Sequence, residues 1–195
     1  MIQAVRPGVA IIIAIASVGG AGCALRRPST VSARMIEPQL VEPPKKEDSA
    51  ASTTTIRLLD TQARGHIGRR VLHQQPNGEL TEDPVWRWSS APDRYLDTAL
   101  RLELGSNPVY RLVDAAAPAL AATLLVWDLE SAGGETRLVA AVEFQFTGTD
   151  RVVHTQVVRG SEPVSGELPG NLAAAAGKLL RRLSTEGLAR MVGER

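Results

Sequence analysis

The sequence predicts an α+β fold: a mostly antiparallel sheet with two amphipathic helices packed on one face. Three observations carry this. In residues 136–148 (TRLVAAVEFQFTG), Leu138, Ala140, Val142, Phe144 and Phe146 share one face, while Arg137, Glu143 and Gln145 share the other. Two segments, around Leu96 and around Leu180, place their apolar residues at helical spacing. The last three strand-like runs follow one another closely, as in an antiparallel meander.

The first element is not part of that fold. Residues 1–8 carry one charge, Arg6, and residues 9–18 are almost wholly apolar. Gly19, Gly20, Ala21, Gly22 and Cys23 follow. A basic start, an apolar core and a small-residue exit describe a secretory signal peptide, here residues 1–22. The apolar run is shorter than the roughly 20 residues that a bilayer-spanning helix requires. Residues 23–52, rich in Pro, Ser, Glu, Lys and Arg, read as an extended polar linker. Met35-Ile36 and Leu40-Val41 are the place within it where an edge strand is read.

The folded domain is expected over residues 53–195. TTTIRLLD reads as a strand for its β-branched residues, and GRRVLH as a second. QPNG, residues 75–78, is a turn. GELTEDPVWRW reads as a short third strand interrupted by Pro84. Ser90 is the expected N-cap of a helix of about 14 residues, with Pro92 in its first turn and Gly105 as its stop. VYRLV, ATLLVWDLE, residues 136–148 and RVVHTQVVRG supply the later strands, with a tight turn at residues 131–134. Asn171 is the expected N-cap of the last helix, whose stripe is Leu172, Ala176, Leu179, Leu180, Leu183, Leu188 and Met191.

Composition excludes several functions. Lys plus Arg is 22 and Asp plus Glu is 21, and the leader removes Arg6 alone. A neutral mature chain has no global field for steering onto nucleic acid. With Cys23 as the only cysteine, no intramolecular disulfide and no multi-thiolate metal site is available. There is no phosphate loop and no HExxH, and His66, His73 and His154 are widely separated. His154 beside Asp150 or Thr155 reads as a solvated strand histidine. Asp93 reads as a helix-start residue and Asp97 as surface. Arg64, His66, Arg69 and Arg70 form a small basic cluster, suited to acidic head groups or to guarding a strand edge by charge.

The sharpest functional cue is VWRWSSAPDRYL. Trp86 and Trp88 share one face of a strand, and Tyr95 follows on the helix. Aromatics are 4% of the chain, yet these three fall within residues 86–95. Two readings stand: hot-spot residues of a partner-binding surface, or a cap on the sheet core beneath the first helix.

Ala21-Gly22-Cys23 resembles the lipobox of bacterial lipoproteins, with Gly20 where that pattern usually has Leu. The resemblance implies a covalent lipid on Cys23, cleavage just before it, and a membrane anchor as the only attached group. Ala24, rather than Asp, after the cysteine resembles the outer-membrane sorting pattern of Gram-negative cells. From residue 53 to 191 the layout resembles the ABC-type transport auxiliary lipoproteins, the PqiC-like group. The segments that carry this are GRRVLHQQPNGELTEDPVWRWSSAPDRYLDTALRLEL and NLAAAAGKLLRRLSTEGLARM. The chain departs from the family at Arg87, Trp88, Ser89 and Ser90, where acidic and proline residues are usual. The resemblance implies no catalytic site, an outer-membrane anchor on the periplasmic side, and ABC transporter partners with MCE-type subunits that move lipid. It leaves room for a homo-oligomer. Two rival readings stand beside it: another envelope-assembly lipoprotein, and a small periplasmic hydrolase using Ser89, Ser90 or His154.

Overall fold

The computed structural model describes residues 32–44, 54–114, 116–149, 153–166 and 168–193. Along the chain lie strands β1 (Arg34–Ile36), β2 (Thr54–Leu58), β3 (Gln62–Ala63), β4 (Arg70–Gln74) and β5 (Leu80–Trp88). Helix α1 (Pro92–Ser106), β6 (Tyr110–Leu112), β7 (Ala119–Ala132), β8 (Glu135–Thr147), β9 (Val153–Pro163) and helix α2 (Gly170–Gly193) follow. Cys23, the leader and Asp150 lie outside the described residues.

The fold is built around β7, β8 and β9. These form the expected antiparallel meander. The β7–β8 turn is Gly133-Gly134, both with positive φ (61° and 84°), which glycine adopts without a Cβ penalty. The other edge of β7 is paired in sections by three short parallel strands laid end to end. β2 takes Ala119 and Leu120, β3 takes Thr123 and Leu124, and β4 takes Leu129 and Glu130. From β4 the sheet continues through antiparallel β5 to parallel β1, and from β2 to parallel β6. The sheet is therefore mixed, with its long ladders antiparallel and its short pairings parallel.

Alternation along β8 decides which face is covered. Leu138, Ala140, Val142, Phe144 and Phe146 are buried, opposite Leu129, Trp127, Leu124, Ala122 and Leu120 of β7. Both helices pack on that face and share one hydrophobic core with it. From α1 come Tyr95, Leu96, Ala99, Leu100 and Leu104; from α2 come Leu172, Ala176, Leu179, Leu180, Leu183 and Leu188. Each fully buried leucine contributes about 1.5–3 kcal/mol, so α2 is a principal source of stability. Small residues let it lie close. A Cβ on Gly160 of β9 would stand 3.1 Å from Leu179 and 3.3 Å from Leu183.

The domain begins earlier than residue 53. β1 lies within the stretch read as linker, with Ile36 1% exposed and packed into the core. Beyond it, Gln39 N–H donates to the Ala173 carbonyl of α2 at 3.0 Å. A Cβ on Gly177 would come within 2.6 Å of the Gln39 carbonyl carbon, so glycine is what lets this segment lie against the helix.

Three local expectations are corrected. Pro84 does not interrupt its strand: β5 runs for nine residues, because a register shift against β4 accommodates the proline. Ser90 is not the N-cap of α1. Ala91 occupies that place without a side-chain bond, Pro92 opens the helix, and α1 runs past Gly105 to Ser106. Asn171 lies inside α2, which starts at Gly170.

Candidate functional site at the aromatic cluster

The expected contact residues do not form one surface. Trp88 is 1% exposed and Tyr95 4% exposed, so both belong to the core beneath α1. Trp88 packs tilted on Trp127 with ring centroids 5.4 Å apart, and edge-on to Tyr95 at 6.5 Å. Packing explains this: strand parity puts Trp86 and Trp88 on one face, and the core under α1 covers that face at Trp88. Trp88 pairs with Ile36 of β1 and points toward the helices. The cap-on-the-core reading describes these two residues. Of the three aromatics, Trp86 alone is half-buried.

Tyr95 ties three segments together. Its hydroxyl donates to Glu37 Oε2 (3.1 Å) and accepts from Ser90 N–H (2.6 Å) and from the Ser89 hydroxyl (2.5 Å). Burial raises the Tyr95 pKa above its ordinary value; the Ser89 and Ser90 donors oppose that, and the Glu37 carboxylate adds to it. The Ser89 hydroxyl, a candidate nucleophile by sequence, is engaged here with a tyrosine.

Asp83 shapes the strand that carries Trp86. Its Oδ1 accepts N–H bonds from Val85 and Trp86, each 2.8 Å, while Oδ2 lies 3.0 Å from His73 Nε2. Burial is the largest single influence on this carboxyl and pushes its pKa up. The N–H groups of Trp86 and Val85, with His73, together outweigh it and hold the pKa below the ordinary value. The His73–Asp83 pair thus serves to fix the register shift. His66 and His154 are exposed. Asp97 pairs with Arg101 along the helix at 2.7 Å. Among the described residues no three His, Cys, Asp or Glu side chains converge as a metal site.

Trp86 is flanked by arginines. The Arg34 guanidinium lies 5.7 Å from its ring centroid. Arg87 Nη1 donates to the Trp86 carbonyl at 2.8 Å and also to the Asp83 carbonyl. Arg69 Nε donates to the Trp88 carbonyl (3.2 Å), and its Nη2 reaches Met35 Sδ (3.8 Å). Arg70 is paired with Glu82. Sequence reading found Arg69 and Arg70 but missed Arg34 and Arg87, because only the β1–β5 pairing brings Arg34 beside Trp86.

A second feature had no sequence signal. Asp128, on β7 next to Trp127, is 5% exposed, and its Oδ1 has no hydrogen-bond partner among the described residues. It pairs across to Val139, on the face away from the helices. Burial raises its pKa, His66 lowers it and Glu130 raises it, for a net upward shift. The sign follows. With the folded pKa above the unfolded one, ionisation destabilises the fold as pH rises from the usual carboxylate range through the raised value. Asp128→Asn is expected to match the parent in acid and to be more stable by about 1–3 kcal/mol at neutral pH. Denaturant midpoints across pH 3 to 8 read this as a gap that opens with pH. A gap of constant size at every pH contradicts it.

No protein-family model matches the sequence, and no curated protein matches it. Solved structures do match in fold. A Xanthomonas campestris protein of family DUF330 superposes with a TM-score of 0.67 at 19% identity, covering 80% of this chain and 92% of that one. An uncharacterised protein gives 0.65 at 12% identity, covering 84% and 99%. A hypothetical protein from Chlamydia trachomatis gives 0.54 at 14%, covering 73% and 97%. The chain shares their α+β fold, and at these identities the likeness is one of fold.

Proposed function

We propose that the protein is a non-enzymatic envelope lipoprotein, acylated at Cys23 and held at the periplasmic face of the outer membrane. In this reading it is an auxiliary component of an ABC-type lipid transporter with MCE-type subunits. The observation that carries the reading is an apolar N-terminal run followed by Ala21-Gly22-Cys23, ahead of this α+β domain. The fold likeness to the DUF330 protein is consistent with it. Two acyl chains suffice for stable attachment, since each buried methylene contributes about 0.8 kcal/mol. Among the described residues no helix is long and apolar enough to cross a membrane.

Intact mass of the protein recovered from its native membrane tests the anchor. The expected product begins at Cys23 and carries added acyl mass, and Cys23→Ala loses both the mass and the membrane fraction. An unmodified chain cut elsewhere refutes the reading. Co-purification tests the role: MCE-type subunits support it, whereas a β-barrel or a cell-wall synthase points to a different envelope lipoprotein.

A further inference from the structure

We propose that the β1 edge of the sheet rests directly on an anionic bilayer surface, with Arg34, Arg69 and Arg87 facing lipid phosphates and Met35 and Trp86 at head-group depth. The inference rests on the reading of Cys23 as a lipid anchor and adds a contact to it.

The arginines at this edge outnumber its carboxylates: Arg34, Arg69, Arg70 and Arg87 stand against Glu37, Glu82 and Asp83. Arg34, Arg69 and Arg87 have no carboxylate at ion-pairing distance among the described residues; their partners are a tryptophan ring, a thioether and backbone carbonyls. The nearby carboxylates are committed elsewhere. Glu37 accepts the Tyr95 hydroxyl, Glu82 pairs with Arg70, and Asp83 holds two N–H groups and His73. Guanidinium groups bonded only to neutral acceptors keep donors free for phosphate.

Apolar groups flank the charges on both sides of the edge. Met35, on the edge strand, is 54% exposed and pairs with Arg87, while the half-buried Trp86 pairs with Arg34 on the opposite side. Tryptophan is favoured at the level of lipid head groups, where its ring is partly apolar and partly wet. An exposed edge strand also needs protection from pairing with other chains, and a membrane surface supplies it.

The tether keeps this edge within reach of lipid. Residues 24–33 separate Cys23 from Arg34, and at about 3.3–3.6 Å per residue they reach at most about 40 Å. The chain enters the fold at β1, so this edge is the part of the domain directly joined to the anchor. Residues 24–36 contain Arg26, Arg27 and Arg34 and no acidic residue; the first is Glu37. A lipid anchor followed by basic residues is a two-signal membrane attachment.

The test uses the full-length acylated protein reconstituted into vesicles of phosphatidylcholine alone, or with roughly a third phosphatidylglycerol to supply surface charge. Flotation reads the anchor. Hydrogen exchange at residues 34–36 and 85–88, and quenching of tryptophan emission by head-group spin labels, read the edge. Trp88 and Trp127 are each 1% exposed, so quenching reports mainly Trp86. Flotation is expected in both vesicles, with slowed exchange and strong quenching only in the anionic ones. Raised salt is expected to reverse the effect. Arg34→Ser with Met35→Ser changes two exposed side chains and is expected to keep the fold, which its unfolding midpoint checks. It is expected to lower the surface-bound ratio by about fivefold for the lost arginine. Flotation with identical exchange and quenching in both vesicles overturns the inference and leaves the anchor standing. Protection that needs added membrane proteins overturns it in favour of a protein partner. Failure to float in either vesicle removes the anchor reading, and the inference with it.

Discussion

Trp88→Ala is expected to cost about 3–5 kcal/mol of folding stability. That is a large share of the roughly 5–15 kcal/mol by which a domain of this kind is stable. Trp88 is the meeting point of β5, β7 and α1, through its contacts with Trp127 and Tyr95. Its backbone N–H donates to the Arg69 carbonyl at 2.7 Å, so the residue also holds β5 in place. The indole N–H has no hydrogen-bond partner among the described residues. Trp88→Phe removes that unpaired donor and keeps a ring, so it is expected to cost much less than the alanine change. Denaturant unfolding of the three proteins ranks them. The rival role, a partner-contact residue, makes the opposite prediction: near-native stability for Trp88→Ala with weakened partner capture. A loss below about 1 kcal/mol would falsify the core assignment.

The two aromatics at residues 86 and 88 also show how far the sequence could be read. Their spacing gave a shared strand face, and that is where they lie. It could not say whether α1 covered that face, because burial is decided by what packs above and not by parity. The same limit applies to β1. RMI is three residues in a proline-rich stretch, and its hydrogen bonds go to β5, 52 residues away in the chain by the Ile36–Trp88 register. No local pattern encodes that pairing. Periodic elements were legible, β8 by its alternation and α2 by its leucine stripe, and the turn at Gly78 was legible by its composition; its φ of 84° is the positive value that glycine accommodates. The end-to-end parallel pairing of β2, β3 and β4 on β7 was not, since a short apolar run carries no mark of its partner's direction. Asp128 was invisible for a related reason. In the sequence it is an ordinary charged residue between Trp127 and Leu129, and only the folded sheet leaves its Oδ1 unpaired.

Two alanine substitutions separate local propensity from packing. Gly105 and Gly187 both lie within helices, and neither has a positive φ. Propensity alone predicts that Gly→Ala stabilises each helix by up to about 1 kcal/mol. At Gly105 nothing lies within 4 Å of the added methyl, so that gain is expected in full or in part. At Gly187 the methyl would stand 2.8 Å from Phe144 Cδ2 and closer still to Cε2 and Cζ. Phe144 is 0% exposed and pairs with Ala122 in the middle of the meander, so its ring has no solvent side to move into. Overpacking of this kind costs about 1–3 kcal/mol, and more where the backbone must shift. It exceeds the propensity gain, and Gly187→Ala is expected to destabilise. Adding Phe144→Leu to that variant shortens the obstructing side chain and is expected to recover part of the loss. The pair would then be less harmful together than the sum of the single changes. Thermal or denaturant midpoints of the parent, the three single variants and the double variant decide the matter. If Gly187→Ala raised stability as Gly105→Ala does, α2 would not lie against β8 at this distance, and the close approach that glycine permits would have to be abandoned as the reason for it.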